Sequence, residues 1–228
     1  MIRIPDRYKE VLEKSKGYAG LMALSIGKKE FSDLAAMHAY STFMFNHFAY
    51  SVLLIADRPK IHNIMALEGV SWKEAERRAL IAGDDMQRSL EKLVRNLPSV
   101  KVSRWADFQD TWYDYNRQVI LQEFSGEFKR RVDALTMEFL ELPANKAKWQ
   151  DPNTPPLDIA RRYVLDELCM LTAIPESFTL PVCEIYPGRN ELQEDLQANK
   201  FCGLNGRLMV KPDRVFMEAY YEPTNTSS

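Results

Sequence analysis

Little in this sequence belongs to the residue types that most often carry nucleophilic relays or bind metal. Three histidines and three cysteines are spread over 228 residues. Cys169, Cys183 and Cys202 stand in apolar surroundings without metal-ligand spacing, which leaves a zinc centre without support and reads as reduced packing thiols of a cytosolic protein. Net charge is equally scarce. Thirty basic residues against 32 acidic ones give −2, so no global field points to nucleic acid, and any basic face has to be local. No apolar run approaches the roughly 20 residues of a membrane span, and the N-terminal MIRIPDRYKEVLEKS has no signal core. The expected location is the cytoplasm, away from membranes. No G-x-G-x-x-G follows the first strand and no Walker lysine is present, so no nucleotide cofactor is expected. A G-x-S-x-G elbow is missing too, and His38 and His47 lie inside an apolar helical pattern, which disfavours a Ser-His-Asp hydrolase.

What is present is organised around the stretch 18–32, YAGLMALSIGKKEFS. Residues 18–24 form a short apolar run without polar alternation, the signature of a strand buried on both faces of a parallel sheet. Ser25 stands where that strand ends, Gly27 loosens the backbone after it, and Ser32 offers an N-cap to the helical pattern 33–47. In open α/β sheets, ligands bind in the crevice beyond the carboxyl ends of the strands. Ser25 therefore either begins a polar turn or presents a hydroxyl to chemistry.

Strand and helix signals then alternate. A leading amphipathic helix is expected over 4–15, a second buried strand over 51–57, and a third short strand over 100–103. If the first two strands are parallel, Asp57, Arg58 and Pro59 reach the same rim as Ser25. Ser71 to Glu74 is an S-x-x-E capping box opening a long helix in which Gly83 marks a weak point. Helical material follows over 105–142, and 143–156, with four prolines, reads as a surface linker within one fold. A helix over 157–170, a strand over 178–186, a short helix over 191–198, strands over 207–211 and 216–221 and a frayed tail over 224–228 complete the chain. The expected class is α/β: one Rossmann-like domain over 1–223, with a parallel sheet flanked by helices.

One constellation stands apart from this frame. Tyr163 and Glu167, in RRYVLDEL, are spaced i, i+4 and share a helix face; Tyr186 ends a strand in CEIYPG. Set among Val164, Leu168 and Leu171, such a pair is partly buried and needs a partner, for which a cationic α-ammonium is suited. The competing reading is an exposed face on which Glu167 meets Arg161 or Arg162.

Together, the strand ending in Ser25, EAER at 74–77, the Y-V-x-x-E-L beginning at Tyr163 and the strand ending in Tyr186-Pro187 resemble the cyclodipeptide synthases. The resemblance covers about 21–211. Members of that family look like the catalytic domain of tyrosyl- and tryptophanyl-tRNA synthetases without the ATP machinery, and join two aminoacyl-tRNAs into a cyclic dipeptide. By the resemblance, Ser25 is the nucleophile that takes the first aminoacyl group as an ester. Tyr163 and Glu167 hold its ammonium, Glu167 assists proton transfer, and Tyr186 orients the serine and the reacting ester. Lys28, Tyr186 and Pro187 put the chain in the X-Tyr-Pro group rather than the Asn-Tyr-His group. Backbone N–H groups after Gly27 are candidates for the oxyanion site. Many relatives have glycine where this chain has Ala23; its methyl is expected to narrow the first aminoacyl pocket towards a small residue such as alanine.

In some relatives the capped helix is densely basic and docks tRNA. Here it offers Lys73, Arg77, Arg78, Arg88, Lys92 and Arg95, interrupted by Asp84 and Asp85. The expected partners are thus two aminoacyl-tRNAs, with no metal and no cofactor, acting on a monomer by a ping-pong route. Two other classes remain open: a catalytically inactive tRNA-binding protein on a synthetase-like fold, and a serine hydrolase of small esters.

Overall fold

The computed structural model describes residues 1–108, 111–149, 151, 153–188, 190–198, 200–201 and 214–223. The expected strand over 207–211, the tail over 224–228 and Cys202 lie outside the described residues.

The apolar run becomes β2 (Ala19–Ser25), preceded by a two-residue β1 (Ile2–Arg3) and a short α1 (Lys9–Glu13) in place of one long leading helix. After it come a single turn α2 (Lys29–Ser32), α3 (Leu34–His47) and β3 (Tyr50–Ala56). The cap of α3 is Asp33, whose Oδ1 accepts from the N–H groups of Ala35 at 2.8 Å and Ala36 at 3.2 Å. Ser32, the expected cap, belongs to α2, and its Oγ donates to the Lys28 carbonyl at 3.4 Å. Next are α4 (Asp57–Glu68), α5 (Trp72–Leu93) and β4 (Val100–Arg104). Ser71 caps α5 as the sequence implies, with its Oγ accepting from Glu74 N–H at 3.4 Å.

Gly83 is no weak point: α5 runs through it unbroken. A methyl built there would meet Arg104 Nη2 at 2.5 Å and Asp57 Cβ at 3.0 Å, so the missing side chain is what lets β4 and α4 approach this helix. The helical material over 105–142 divides into a 3₁₀ turn (Trp105–Phe108), α6 (Thr111–Gln122) and α7 (Gly126–Glu141). Within the proline-rich linker, α8 (Pro143–Lys146) forms a turn and Trp149 is buried against α4 and α9 (Leu157–Ala173). The strand expected over 178–186 starts late, as β5 (Val182–Pro187). Pro181 gives β2 a carbonyl, bonded by Ala19 N–H at 2.8 Å, but has no N–H to offer a ladder. The chain closes with α10 (Glu191–Gln197) and β6 (Val215–Tyr221).

Among the described residues, six strands lie in the order β1-β6-β5-β2-β3-β4, all parallel except β1, which is antiparallel to β6. The chain winds outward from β2 through β3 to β4, then returns to the other side of β2 for β5 and β6. The strand order therefore reverses beside β2, the place where a doubly wound sheet opens its ligand crevice.

Alternation along the strands builds two apolar layers. Met22 and Leu24 of β2, with Leu53 and Ile55 of β3, pack under α3 through Met37, Tyr40 and Met44. Ala19, Leu21, Val52, Leu54 and Ala56 face the other way, towards Leu165, Leu168, Cys169 and Met170 of α9. Ser25 continues this second set, so the fold turns its hydroxyl towards α9. Among the described residues, no helix is long and apolar enough to cross a membrane, and no three metal-ligating side chains converge.

Candidate active site

The carboxyl end of β2 and the inward face of α9 meet at one hydrogen bond, from Tyr163 Oη to Ser25 Oγ at 2.8 Å, across 138 residues of sequence. Both side chains are half-buried. Burial drives the proton affinity of the Tyr163 phenol well up, with the Glu167 carboxylate adding to the effect and the bond to Ser25 opposing it. Tyr163 is thus held as a phenol and donates. The proton of Ser25 itself stays available to an incoming group.

Glu167 stands one helical turn along the same face. Burial raises its pKa to about 7, repulsion from Glu184 adds to the rise, and Lys28 opposes it. A carboxyl of this kind exchanges protons near neutrality, which is where acid–base work is efficient. The exposed reading of this face does not describe Glu167, which is half-buried. Arg161 engages Asp133 at 2.5 Å and Asp158 at 2.8 Å, not Glu167.

The opposite wall comes from β5. Glu184 and Tyr186 alternate with Cys183 and Ile185, which belong to the α3 layer, so both point to the α9 side. Burial lifts the Tyr186 phenol above its ordinary range, helped by Glu167 and Glu184. Lys28 bridges the walls: its Nζ lies 4.7 Å from the centre of the Tyr186 ring and 5.4 Å from that of Phe31, and donates to the Pro187 carbonyl at 3.4 Å. Burial lowers the proton affinity of Lys28, while Glu30 and Glu167 pull it back up. An ammonium over aromatic rings beside a carboxylate is an arrangement that a second ammonium, from a ligand, can also enter.

Most of the sequence-derived set thus converges. Ser25, Tyr163, Glu167, Tyr186, Lys28 and Pro187 surround one crevice, and Ala23 shares the strand face of Ser25 two residues earlier, 4% exposed. Gly27 has φ of +89°, a left-handed conformation that lets the chain turn sharply after Ser25. Of the backbone donors after Gly27, that of Lys28 is already bonded to the Ser25 carbonyl at 3.2 Å, so it is removed from the oxyanion candidates.

Asp57 does not join the crevice. It is 2% exposed and its Oδ2 accepts from Arg104 Nε at 2.9 Å and Nη2 at 2.6 Å. Arg58 turns to Glu76 at 3.0 Å. On α5, Arg77 and Arg78 both bond Glu74, at 2.7 and 2.6 Å, and Arg78 also meets Glu68 at 2.6 Å. Arg88 pairs with Asp85. Lys73, Lys92 and Arg95 are exposed and make no ion pair among the described residues.

Sequence reasoning passed over Glu184, 1% exposed and ion-paired to Arg214, which in turn donates to Gln193 Oε1 at 3.0 Å. The available signal was a charged residue two places before Tyr186 inside a buried strand. It also passed over a half-buried pair joining α4 to α9, His62 Nε2 and Asp166 Oδ2 at 2.8 Å.

No protein-family model matches this sequence, and no curated protein is similar enough in sequence to match it. Solved structures do resemble it. A CDPS from Fluoribacter dumoffii superposes with a TM-score of 0.80 at 16% identity, over 97% of this chain and 98% of that one. A cyclodipeptide synthase from Candidatus Glomeribacter gigasporarum, bound to Phe-tRNAPhe, gives 0.71 at 16% identity, over 97% and 95%. A Mycobacterium tuberculosis protein, whose structure relates cyclodipeptide synthetases to type I tRNA synthetases, gives 0.68 at 16% identity, over 96% and 90%. This chain has the fold of the solved cyclodipeptide synthases, one related to the type I tRNA synthetases.

Proposed function

We propose that the chain is a cyclodipeptide synthase of the X-Tyr-Pro group, a single Rossmann-like catalytic domain that joins two aminoacyl-tRNAs into a 2,5-diketopiperazine through an aminoacyl ester on Ser25. The observation that carries this reading is the Tyr163–Ser25 hydrogen bond at the switch point of the sheet, with Glu167 one turn away. The shared fold and the tRNA bound to one structural neighbour support it.

The chemistry asks for little beyond position. An aminoacyl-tRNA is an activated ester. Ser25 Oγ attacks its carbonyl, the bond to the ribose oxygen breaks, the serine proton ends on that oxygen, and one tRNA leaves. Two amide bonds then form as each amine attacks the other residue's ester, one step releasing the second tRNA and the other freeing Ser25. Ester-to-ester exchange followed by amide formation runs downhill, and orientation of the reacting groups supplies roughly 7 kcal/mol or more of the barrier reduction.

Each side chain then has a task. Tyr163, a donor that stays protonated, fixes Ser25 Oγ and polarises the ester. Glu167 receives the substrate ammonium; an ionic partner lowers its pKa from about 7 and keeps it a carboxylate able to accept the proton that the amine must lose before it attacks. Tyr186 and Lys28 form the wall against which the aminoacyl group is oriented, and the Ala23 methyl narrows the first pocket towards small residues such as alanine.

Intact-protein mass spectrometry after mixing with aminoacyl-tRNA tests the reading. The wild type gains the mass of one aminoacyl group and Ser25→Ala gains none. Equal labelling of both proteins contradicts a seryl intermediate.

A further inference from the structure

Lys60 is a cation with no ion-pair partner among the described residues and no role in the steps above. It stands in the first turn of α4, where the helix dipole works against positive charge. A methyl built on Gly27 would meet its Nζ at 3.3 Å, so the ammonium lies against the backbone two residues past Ser25. It is half-buried, and no carboxylate pairs with it among the described residues. Glu68 is the one acid that acts on it, and Glu68 is engaged by Arg78 at 2.6 Å. The charge that bears on it more strongly is another cation, Lys148, exposed and likewise without an ion pair among the described residues.

Two lysines that repel each other, one of them partly desolvated beside Gly27, are unfavourable in the free protein. Burial lowers the proton affinity of Lys60 first, and repulsion from Lys148 lowers it further. An anion between them removes both penalties. Lysine acts as a point charge towards phosphate. In the proposed reaction the ester sits on the terminal ribose of the tRNA, whose own 5′ phosphodiester is the anion closest to the reacting bond.

We propose that Lys60, with Lys148, binds a phosphodiester of the 3′-terminal nucleotides of the aminoacyl-tRNA and so fixes the ester against Ser25. This rests on the function proposed above. It is a site separate from the basic face of α5, and it concerns the single-stranded end of the substrate.

The test compares Ser25 acylation by an aminoacyl-tRNA with acylation by a 3′-aminoacyl-adenosine, which has no phosphate. Lys60→Met is expected to raise the aminoacyl-tRNA concentration for half-maximal acylation about tenfold and to flatten its dependence on salt by about 0.7 in log–log slope, the loss of one single-strand contact. The wild-type preference for aminoacyl-tRNA over aminoacyl-adenosine should shrink by a similar factor. Lys60→Arg restores most of the preference. Lys148→Met, on an exposed position that folding tolerates, shifts it in the same direction by less. Equal losses with both substrates, or an unchanged salt slope in both methionine variants, overturn the phosphate site. A wild type acylated by neither substrate overturns the proposed function itself, a result separate from failure at Lys60.

Discussion

β2 and β3 end side by side, Ser25 in register with Ala56, and the two ends are used in opposite ways. After Ala56, Asp57 is buried under Arg104, whose remaining donors go to Asp84 at 2.5 Å, Gln87 Oε1 at 3.3 Å and the Leu80 carbonyl at 3.3 Å. That network ties β4, α4 and α5 together. After Leu24, Ser25 accepts one bond from a neutral phenol and keeps its own proton. Glu167 and Lys28 nearby feel each other across a crevice with affinities displaced from their ordinary values. Polar groups matched within the protein hold it together; polar groups left with spare capacity are the ones a ligand can complete.

Substitutions of graded effect sharpen this contrast. Ser25→Ala should remove acylation by about 10³-fold or more while changing stability by less than about 0.5 kcal/mol. A stability loss at Ser25 matching that at Arg104 would erase the distinction. Arg104→Met leaves Asp57 as a buried unpaired charge and should cost about 3–5 kcal/mol in chemical denaturation. Gly83→Ala, which drives a methyl into Arg104, should cost about 1–3 kcal/mol by the same readout. In both, acylation per folded molecule should persist.

Glu167 gives an intermediate effect with a defined sign. Its folded pKa of about 7 lies above that of an unfolded glutamate, so the protonated form is favoured by folding and its contribution is lost as pH rises through 7. Glu167→Gln should therefore raise thermal stability at pH 8 by roughly 1–3 kcal/mol relative to wild type and leave it unchanged at pH 4. The wild-type kcat/KM should fall below an inflection near 7, and this limb should be absent from Glu167→Gln. The smallest effect is expected on α5. Neutralising Lys73, Lys92 and Arg95, which make no ion pair among the described residues, should weaken aminoacyl-tRNA binding more than neutralising Arg77, Arg78 and Arg88, by about threefold at low salt. The reverse order in a filter-binding titration would mean that the internal pairs open to receive tRNA.

The parts of the site that were legible in the sequence are those encoded locally. An unbroken apolar run identifies a strand covered on both faces, and Ser25 follows from where the run stops. The i, i+4 spacing of Tyr163 and Glu167 is a property of any helix. The bond of Tyr163 to Ser25 is different: it depends on α9 packing across the sheet 138 residues away, and the resemblance had given the orienting of the serine to Tyr186 instead. Lys60 had no local signal at all, since a lysine in a first helical turn reads as surface until a backbone approaches it. Ser32 was the expected cap, but the turn of α2 absorbs it and leaves the next residue, Asp33, to cap α3. Gly83 looked like a helix defect because the guanidinium that fills its space comes from another strand.

The central claim is tested most directly by mass spectrometry of culture medium from cells expressing the wild type beside Ser25→Ala. The account predicts a cyclic dipeptide with the wild type and none with the variant, at equal levels of folded protein. A folded wild type that yields no cyclic dipeptide, or a variant that yields as much, would contradict it.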